Sequence, residues 1–437
     1  MRFRIYLLVI LVLMPAAAFA TPYDTFSVGP RAIAMGNAYG AVGGDSAACF
    51  HNIATLTNAG AFQIELDYHR ADIDIRFNDR RTDIDPDKGV RIGVVLGKTF
   101  LNRRFRFGAS IYTPDSHFMR FVLPPRTAPI VMRYNNINHM QASIVGFAGQ
   151  VFPWWSIGFG ATFTSDHLGG VDFAIGEDTA AQGDLKSRLG SATTPVAGTY
   201  FEPLEWLSLG ATFREEHQQM MHLPNKIGMN DLKVFQDNGL IIFQDGRLVL
   251  DVYSNTHFSP RQYQGAIAIK PSDRMLFSAD LTFYEYSNMG NSMAYSIAIM
   301  EGDFGEVFPC VPPLDVPDPG MEDTWGLALG TEWGAFKTDH VRVDLRAGYN
   351  YRPTPLPNQT GVSNVIDSNM HIMAAGLGLT LGSLTEVLRK PFSLDVFYQH
   401  HYLEPRMVHK SDPTNEIGDY KFTGSVGNLG AGMTLRF

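Results

Sequence analysis

The feature that most constrains the fold is a two-residue alternation of apolar and polar side chains. It is clearest from Val341 to Arg352, where odd positions hold valine, leucine, alanine or tyrosine and even positions hold arginine, aspartate, glycine or asparagine. Neighbouring side chains of a β-strand point to opposite faces, so this stretch has one apolar and one charged face. The apolar face fits the core of a soluble sandwich, or the lipid side of a transmembrane barrel whose lumen takes the charged face.

The same alternation recurs along the chain and predicts about fourteen strands. They fall near 61–76, 89–99, 104–113, 136–151, 155–174, 190–202, 206–221, 259–270, 273–287, 322–336, 340–352, 368–382, 391–404 and 422–437. Short connections alternate with long ones, and the long ones are 77–88, 113–135, 222–258, 288–321, 353–367 and 405–421. Bacterial outer-membrane barrels have short periplasmic turns and long extracellular loops. The pattern therefore favours an all-β membrane protein, an antiparallel transmembrane barrel of about fourteen strands.

The two ends of the chain are consistent with export to an outer membrane. Residues 1–20 combine two arginines, a short apolar core and a final Ala-Phe-Ala, which is the pattern of a cleaved secretory signal. The last ten residues alternate again and end on Phe437, which resembles the terminal strand of bacterial outer-membrane proteins. We expect a signal peptide at 1–20, a barrel at 61–437, and location in the bacterial outer membrane among its lipids.

Residues 21–60 are rich in alanine and glycine and show no strand alternation. They precede the first strand, so they begin on the periplasmic side and either hang free or plug the lumen. Loss of the signal with its two arginines changes the formal net charge from −9 to −11, which disfavours nucleic acid as a partner. Cys49 and Cys310 could form a disulfide in an oxidising compartment or remain free thiols.

Three segments resemble the FadL-type outer-membrane transporters, a family that moves long-chain fatty acids and, in relatives, aromatic hydrocarbons. The segment 44–57, "GDSAACFHNIATLT", is similar to the family's N-terminal hatch with its Asn-Pro-Ala motif, which reads Asn-Ile-Ala here. The segment 105–117, "FRFGASIYTPDSH", is similar to the family's third strand. The segment 349–379 follows the family's order of strand, proline-rich turn, polar loop and strand.

The resemblance implies a barrel whose lumen is plugged by a hatch at 21–60. Substrate would be captured by the extracellular loops, and Asn52, Ile53 and Ala54 would form the gate. Release would be lateral, through a gap made by a kink in the third strand. Gly108 is the candidate for this kink because glycine permits a bend. It could equally provide room inside the barrel.

Two long loops carry apolar runs that are unusual in a solvated loop, within 118–132 and 218–243. They predict either a capture groove for a hydrophobic ligand or loops that pack together to close the barrel top. The candidate groove residues are Phe118, Phe121, Val122, Leu123, Met220, Met221 and Leu223. Methionine suits such a groove because its flexible side chain adapts to varied apolar shapes.

A fatty-acid ligand would require a cation for its carboxylate. No lysine or arginine occurs between Arg274 and Lys337, a stretch that includes the fifth loop. Arg188, Lys226, Lys233 or Arg247 could still serve as this cation. Uncharged hydrophobic molecules therefore remain alternative substrates to fatty acids.

The sequence contains no recognisable catalytic constellation. It lacks a Gly-x-Ser-x-Gly elbow and a His-Glu-x-x-His motif, and His217 and His222 would point to opposite faces of a strand. We expect no enzyme activity, no cofactor and no metal. The sequence predicts a monomeric, passive outer-membrane transporter of hydrophobic small molecules with a hatch as its gate. The alternatives are a barrel that acts as an assembly or adhesion platform, and a general porin.

Overall fold

The computed structural model describes most of the chain from Tyr23 onward. The described residues are 23–115, 129–134, 141–176, 179–230, 232–236, 239–243, 246–288, 295–302, 318–363, 365–382, 390–413, 415 and 417–437. The predicted signal at 1–20 and Cys310 lie outside them. Cys49 is a free, buried thiol.

Fourteen strands form the barrel wall. They are β1 (Phe62–Phe77), β2 (Asp87–Phe100), β3 (Arg103–Pro114), β4 (Ala142–Phe152), β5 (Trp155–Gly176), β6 (Thr179–Leu204), β7 (Leu207–Arg214), β8 (Arg261–Ser272), β9 (Met275–Glu285), β10 (Thr324–Lys337), β11 (Val341–Arg352), β12 (Met370–Leu381), β13 (Phe392–Val408) and β14 (Tyr420–Arg436). Each pairs antiparallel with its neighbours in this order.

The barrel closes because its last strand pairs with its first. Leu66 of β1 lies opposite Ile92 of β2 on one side and Met433 of β14 on the other. The predicted fourteen-stranded antiparallel barrel is therefore confirmed. Boundaries differ by more than a few residues at three places: β4 begins at Ala142 rather than 136, β6 begins at Thr179 rather than 190, and β7 ends at Arg214 rather than 221.

The region between β7 and β8 was predicted to be mainly a long loop, and the structure corrects this. Strand His217–Asn230 pairs antiparallel with Gly246–Ser259 and parallel with the far end of β5. Strand Tyr295–Gly302 pairs with Gly246–Ser259 as well. The hairpin of β5 and β6 is paired from Trp155 and Phe201 out to Gly176 and Thr179, and the far end of β5 pairs on its other edge with His217–Asn230.

The two faces of the wall differ as the alternation predicts. Outward side chains such as Leu66, Leu281 and Leu377 are exposed, and aromatic rings lie at the ends of this apolar band. At the end with the short turns, the rings of Phe62 and Phe437 stack with centroids 4.8 Å apart. The inward neighbours are polar and buried, and on β1 they are Gln63, Glu65, Asp67 and His69.

Residues 23–60 lie inside the barrel and form the hatch. They contain α1 (Tyr23–Phe26), α2 (Pro30–Ala34), α3 (Ala48–His51) and a 3₁₀ helix at Ile53–Asn58. Most of their side chains are fully buried against the inner wall. In the described part of the chain, no helix has the length and apolar character needed to cross a bilayer.

The proline-rich segment after β11 crosses the extracellular mouth, and we call residues 353–369 the strap. Its Val365 and Ile366 pair in parallel with Ile130 and Val131 of the second loop. Leu356 and Val365 pack in one cluster with Met321 of the fifth loop. Prolines cannot donate ladder hydrogen bonds, so the chain leaves the sheet here and becomes a stiff connection between loops.

Candidate functional site

Asn52 fastens the hatch to the barrel wall through its amide group. The amide Nδ2 donates to the carbonyl of Gly40, at 2.8 Å, and to the carbonyl of Thr199 on β6, at 3.0 Å. Its Oδ1 accepts from the backbone N–H of Ala54 at 3.1 Å, which caps the 3₁₀ helix. Asn52 is fully buried, so loss of this amide would leave several backbone groups without partners.

Ile53 occupies the place where the family motif has proline. As the first residue of the 3₁₀ helix it stands where proline is well tolerated, since that N–H needs no helical partner. Its side chain fills a niche whose wall is made by Gly146, Gly158 and Gly160. A Cβ on Gly158 would lie 2.6 Å from the side chain of Ile53, so the niche exists because these positions lack side chains.

Gly108 faces the hatch in the same manner. A Cβ there would lie 2.6 Å from the sulfur of Cys49 and 2.8 Å from Leu56. Strand β3 is paired without a register shift through Gly108, which lies opposite Val95 on β2 and Gly146 on β4. The geometry supports the interpretation that Gly108 provides room for the hatch, and the lateral opening at this position stays a prediction.

Two ion-pair networks hold opposite sides of the hatch. On one side Arg91 pairs with Glu65 and Asp67, and Ser46 of the hatch bonds both Arg91 and Glu65. On the other side Arg31 of the hatch makes two bonds to Glu332 of β10, at 2.7 and 2.9 Å. These contacts hold the hatch against the inner wall.

A pocket lies on the extracellular side of the hatch, and we call it the lumen pocket. Its volume is about 60 Å³. The wall strands contribute residues from their extracellular ends, and hatch residues form the floor. The members used below are Asp24, Asn37, His51, Arg214, Gln262 and Arg352.

The lumen pocket has an excess of positive charge. Arg214 and Arg352 stand against one carboxylate, Asp24, which accepts from Arg214 Nη1 at 3.4 Å. His51 adds no charge near neutral pH, because burial lowers its pKa to about 3. The Arg214 guanidinium lies 3.9 Å from the centroid of the Phe50 ring, and it is 7% exposed. This arrangement favours an anionic group placed beside apolar surface.

The predicted site residues divide into three groups. Asn52, Ile53 and Ala54 lie in the hatch, where they contact the inner wall of the barrel. Met220, Met221 and Leu223 lie on the strand His217–Asn230, which is part of the sheet above the rim rather than a loop. Phe118, Phe121, Val122 and Leu123 lie outside the described residues, so the capture groove stays a prediction.

Sequence reasoning missed Arg214 and Arg352. The candidates from the sequence were loop cations, namely Arg188, Lys226, Lys233 and Arg247. The two arginines of the lumen pocket lie instead at the ends of β7 and β11. A usable signal existed, because alternation along β7 places Arg214 on the same inward face as Ser208 and Thr212, which are both buried. A charged residue on the inner face near the extracellular end is a candidate ligand-binding group.

The comparisons with known proteins agree with this fold. Residues 7–437 match the model of the family described as outer membrane protein transport protein (OMPP1/FadL/TodX). No curated protein sequence matches the chain. A FadL homologue from Pseudomonas aeruginosa is 17% identical and has a TM-score of 0.57, with 93% of this chain and 97% of that chain covered.

Two other solved structures are similar in fold. The Ralstonia pickettii toluene transporter TbuX is 16% identical with a TM-score of 0.55, covering 95% of this chain and 100% of that chain. The Pseudomonas putida toluene transporter TodX is 12% identical with a TM-score of 0.54, covering 94% and 98%. Identity at this level supports the fold alone, whereas the family model spans nearly the whole sequence. The chain belongs to the OMPP1/FadL/TodX family of outer-membrane transport proteins, a family of transporters and not of enzymes.

Proposed function

We propose that this protein is a passive transporter of hydrophobic molecules that carry an acidic group, with long-chain fatty acids as the model substrate. Ligand is captured among the extracellular loops, descends to the lumen pocket, and passes when the hatch moves. The protein acts as a monomer among outer-membrane lipids, since a closed barrel has no free sheet edge through which to pair. The single observation that carries the proposal is the buried Arg214 beside an apolar ring in a pocket on the hatch.

We assign the acyl chain to an apolar part of the lumen. Phe26 of the hatch packs in one buried cluster with Ile73, Ile372 and Phe422 from the inner wall near the extracellular end. These side chains are buried against one another, so the tail of a ligand with its head at Arg214 would enter the cluster when the hatch or the wall moves. This division between a charged floor and an apolar upper lumen supports an amphipathic substrate over a neutral hydrocarbon or a hydrophilic solute.

The hatch is the gate in this proposal. With Asn52 bonded to the wall and Ile53 in its niche, the lumen holds a plug, so ligand cannot cross without a movement of the hatch or the wall. Lateral release requires the wall near Gly108 to open from the paired state described above. Either movement would follow entry of a ligand into the lumen pocket, which borders the hatch directly.

Uptake measured in proteoliposomes or in cells tests the proposal. Arg214→Gln should reduce uptake of tetradecanoate about tenfold or more and leave a neutral probe such as 1-tetradecanol nearly unchanged, because charged hydrogen bonds are stronger than neutral ones. The matched control is Arg261→Gln, whose guanidinium bonds Glu215 and Glu285 outside the pocket. Absence of tetradecanoate uptake by the unaltered protein would favour the platform alternative.

Asn52→Ala tests the gate in the same assay. Removal of the amide frees the carbonyls of Gly40 and Thr199 and should weaken hatch seating, which raises the leak of small solutes without ligand. A leak equal to that of the unaltered protein would argue against Asn52 as a gate residue.

A further inference from the structure

The lumen pocket is more polar than a simple carboxylate requires. Besides its two arginines it is lined by the amides of Asn37 and Gln262 and by other hydroxyl and amide side chains from β7, β8, β9 and β11. A carboxylate offers only acceptors, so a guanidinium or two would satisfy it. The additional groups call for a ligand with more hydrogen-bonding functions.

Two buried polar atoms of the pocket residues have no partner among the described residues. One is a donor, Nε of Arg214, whose other nitrogens bond Asp24, Gln262 and the carbonyl of Phe50. The other is an acceptor, Oδ1 of Asn37. Buried polar groups without partners are costly, at roughly 1–3 kcal/mol each, so a ligand that pairs with these two atoms gains binding free energy.

Asn37 is held in its position by the backbone. Its φ is +71°, in the left-handed region that asparagine and glycine tolerate better than other residues. The preceding Gly36 also has a positive φ, of +63°, and a Cβ there would lie 2.5 Å from the backbone nitrogen of Tyr349 on β11. The wall therefore clamps this turn of the hatch and fixes the backbone of Asn37, which is one of the residues that line the pocket.

A complementary ligand must supply one acceptor for Arg214 and one donor for Asn37. We propose that the lumen pocket selects acyl carboxylates that carry a hydrogen-bond donor next to the carboxylate, namely hydroxy fatty acids and N-acyl amino acids. The inference rests on the proposed function and narrows its substrate class. An unsubstituted fatty acid would satisfy Arg214 and leave Asn37 unpaired, while a neutral hydrocarbon would leave both unpaired.

The size of the pocket agrees with a head group and not with a whole ligand. A volume of about 60 Å³ is small, so the pocket admits a polar head group while the acyl chain lies outside it. Discrimination by such a site is strong, since a site built to bond a hydroxyl or N–H group rejects an analogue that lacks it.

Binding by the full-length protein in nanodiscs tests the inference with four probes. They are tetradecanoate, 2-hydroxytetradecanoate, N-dodecanoylglycine and 1-tetradecanol, each corrected for partition into empty nanodiscs. We expect the two donor-bearing acids to bind about tenfold more tightly than tetradecanoate, and 1-tetradecanol to bind most weakly. Equal dissociation constants for the three acids would overturn the inference and leave the proposed function intact. Failure of all four probes to bind would instead overturn the proposed function.

Two variants locate the effect. Asn37→Gly keeps the left-handed backbone and removes the acceptor, so it should abolish the preference for donor-bearing acids over tetradecanoate. Arg214→Gln should weaken all three acids by a similar factor. A preference that persists in Asn37→Gly would contradict the assignment, and Arg261→Gln, outside the pocket, serves as the unaffected control.

Discussion

At the scale of single residues, Asn52 and Ile53 seat the hatch by different means. Asn52 acts through directed hydrogen bonds, and Ile53 acts through shape, by filling a niche that three wall glycines leave empty. The departure from the family's proline therefore has a physical role, because isoleucine fills space with a branched side chain at a helix start where either residue is compatible with the backbone.

A double-mutant cycle tests the fit of Ile53. The three atoms nearest to a Cβ on Gly146 all belong to the Ile53 side chain, the closest at 3.0 Å, so Gly146→Ala should destabilise the protein by about 1–3 kcal/mol through overpacking. In an Ile53→Ala background, itself destabilised by about 2–5 kcal/mol, Gly146→Ala should cost little because the space is vacant. Thermal unfolding of the four proteins measures the coupling.

The matched control for this cycle is Gly265→Ala, since a Cβ on Gly265 meets no atom within 4 Å. It should leave the stability nearly unchanged in both backgrounds. Additive effects of Gly146→Ala and Ile53→Ala would show that the niche does not discriminate side-chain volume.

We expect His51 to make hatch closure dependent on pH. Burial lowers its pKa to about 3, while a released hatch would return it to an ordinary value of about 6.5. A group with a lowered pKa in the closed state contributes its stability fully above pH 6.5, and this contribution is lost as the pH falls toward 3. We expect the closed state to weaken by up to about 1.4 kcal/mol per pH unit in that window.

Solute leak measured between pH 7.5 and 4.5 tests this dependence. The leak of the unaltered protein should rise as the pH falls, and His51→Gln should flatten the profile because glutamine does not titrate. A leak that is constant over this range would mean that His51 stays neutral and buried when the hatch opens.

At the scale of elements, alternation predicted the wall well and the mouth poorly. A strand such as β11 is specified by its own local sequence. One of its faces contacts lipid and the other faces the lumen, so apolar and polar side chains must alternate every two residues. The sheet above the rim depends on pairing between 217–230 and the distant end of β5, which no local pattern indicates. The sequence did not predict the lumen pocket for the same reason. Arg214 and Asn37 are distant in the sequence and line one pocket only because the hatch lies inside the barrel.

The strap is held in place by the side chain of Arg406. Arg406 of β13 donates to the carbonyls of Leu356 and Asp367, at 2.8 and 3.0 Å, and to Asn358 Oδ1 at 3.0 Å. One side chain thus joins three points of a segment whose prolines prevent it from forming a ladder of its own. Lys410, which follows β13, donates to the carbonyls of Gly361 and Ser363 at 2.9 and 2.7 Å, so the strap is a stiff cover held along its length.

Removal of this support should loosen the extracellular mouth. Arg406→Ala is expected to increase hydrogen exchange of residues 356–367 about tenfold or more and to speed ligand entry, with little change in barrel stability. Arg76→Ala is the control, because Arg76 is exposed and bonds the exposed Asp74. Unchanged exchange in the strap would show that the parallel pairing with the second loop is sufficient to hold it.

At the scale of the whole molecule, the two ion-pair networks make the hatch asymmetric. The network of Arg91 is closed to solvent, with 6% and 3% of the Arg91 and Glu65 side chains exposed. Arg31 is 28% exposed and borders a cavity of about 590 Å³ at the end with the short turns. Glu332 is also bonded to Arg346 at 2.7 Å, so it keeps a cationic partner when Arg31 leaves.

This difference predicts which side of the hatch moves. Arg31→Gln should raise the open probability in single-channel recordings several-fold while the barrel stays folded, because no buried charge loses its last partner. Arg91→Gln should instead lower the stability by about 3–5 kcal/mol, because Glu65 and Asp67 would be buried without a cation. Recordings and thermal unfolding on the same preparations separate the two effects. If Arg31→Gln stays closed, or Arg91→Gln opens without destabilisation, the hatch does not pivot on the β1–β2 side.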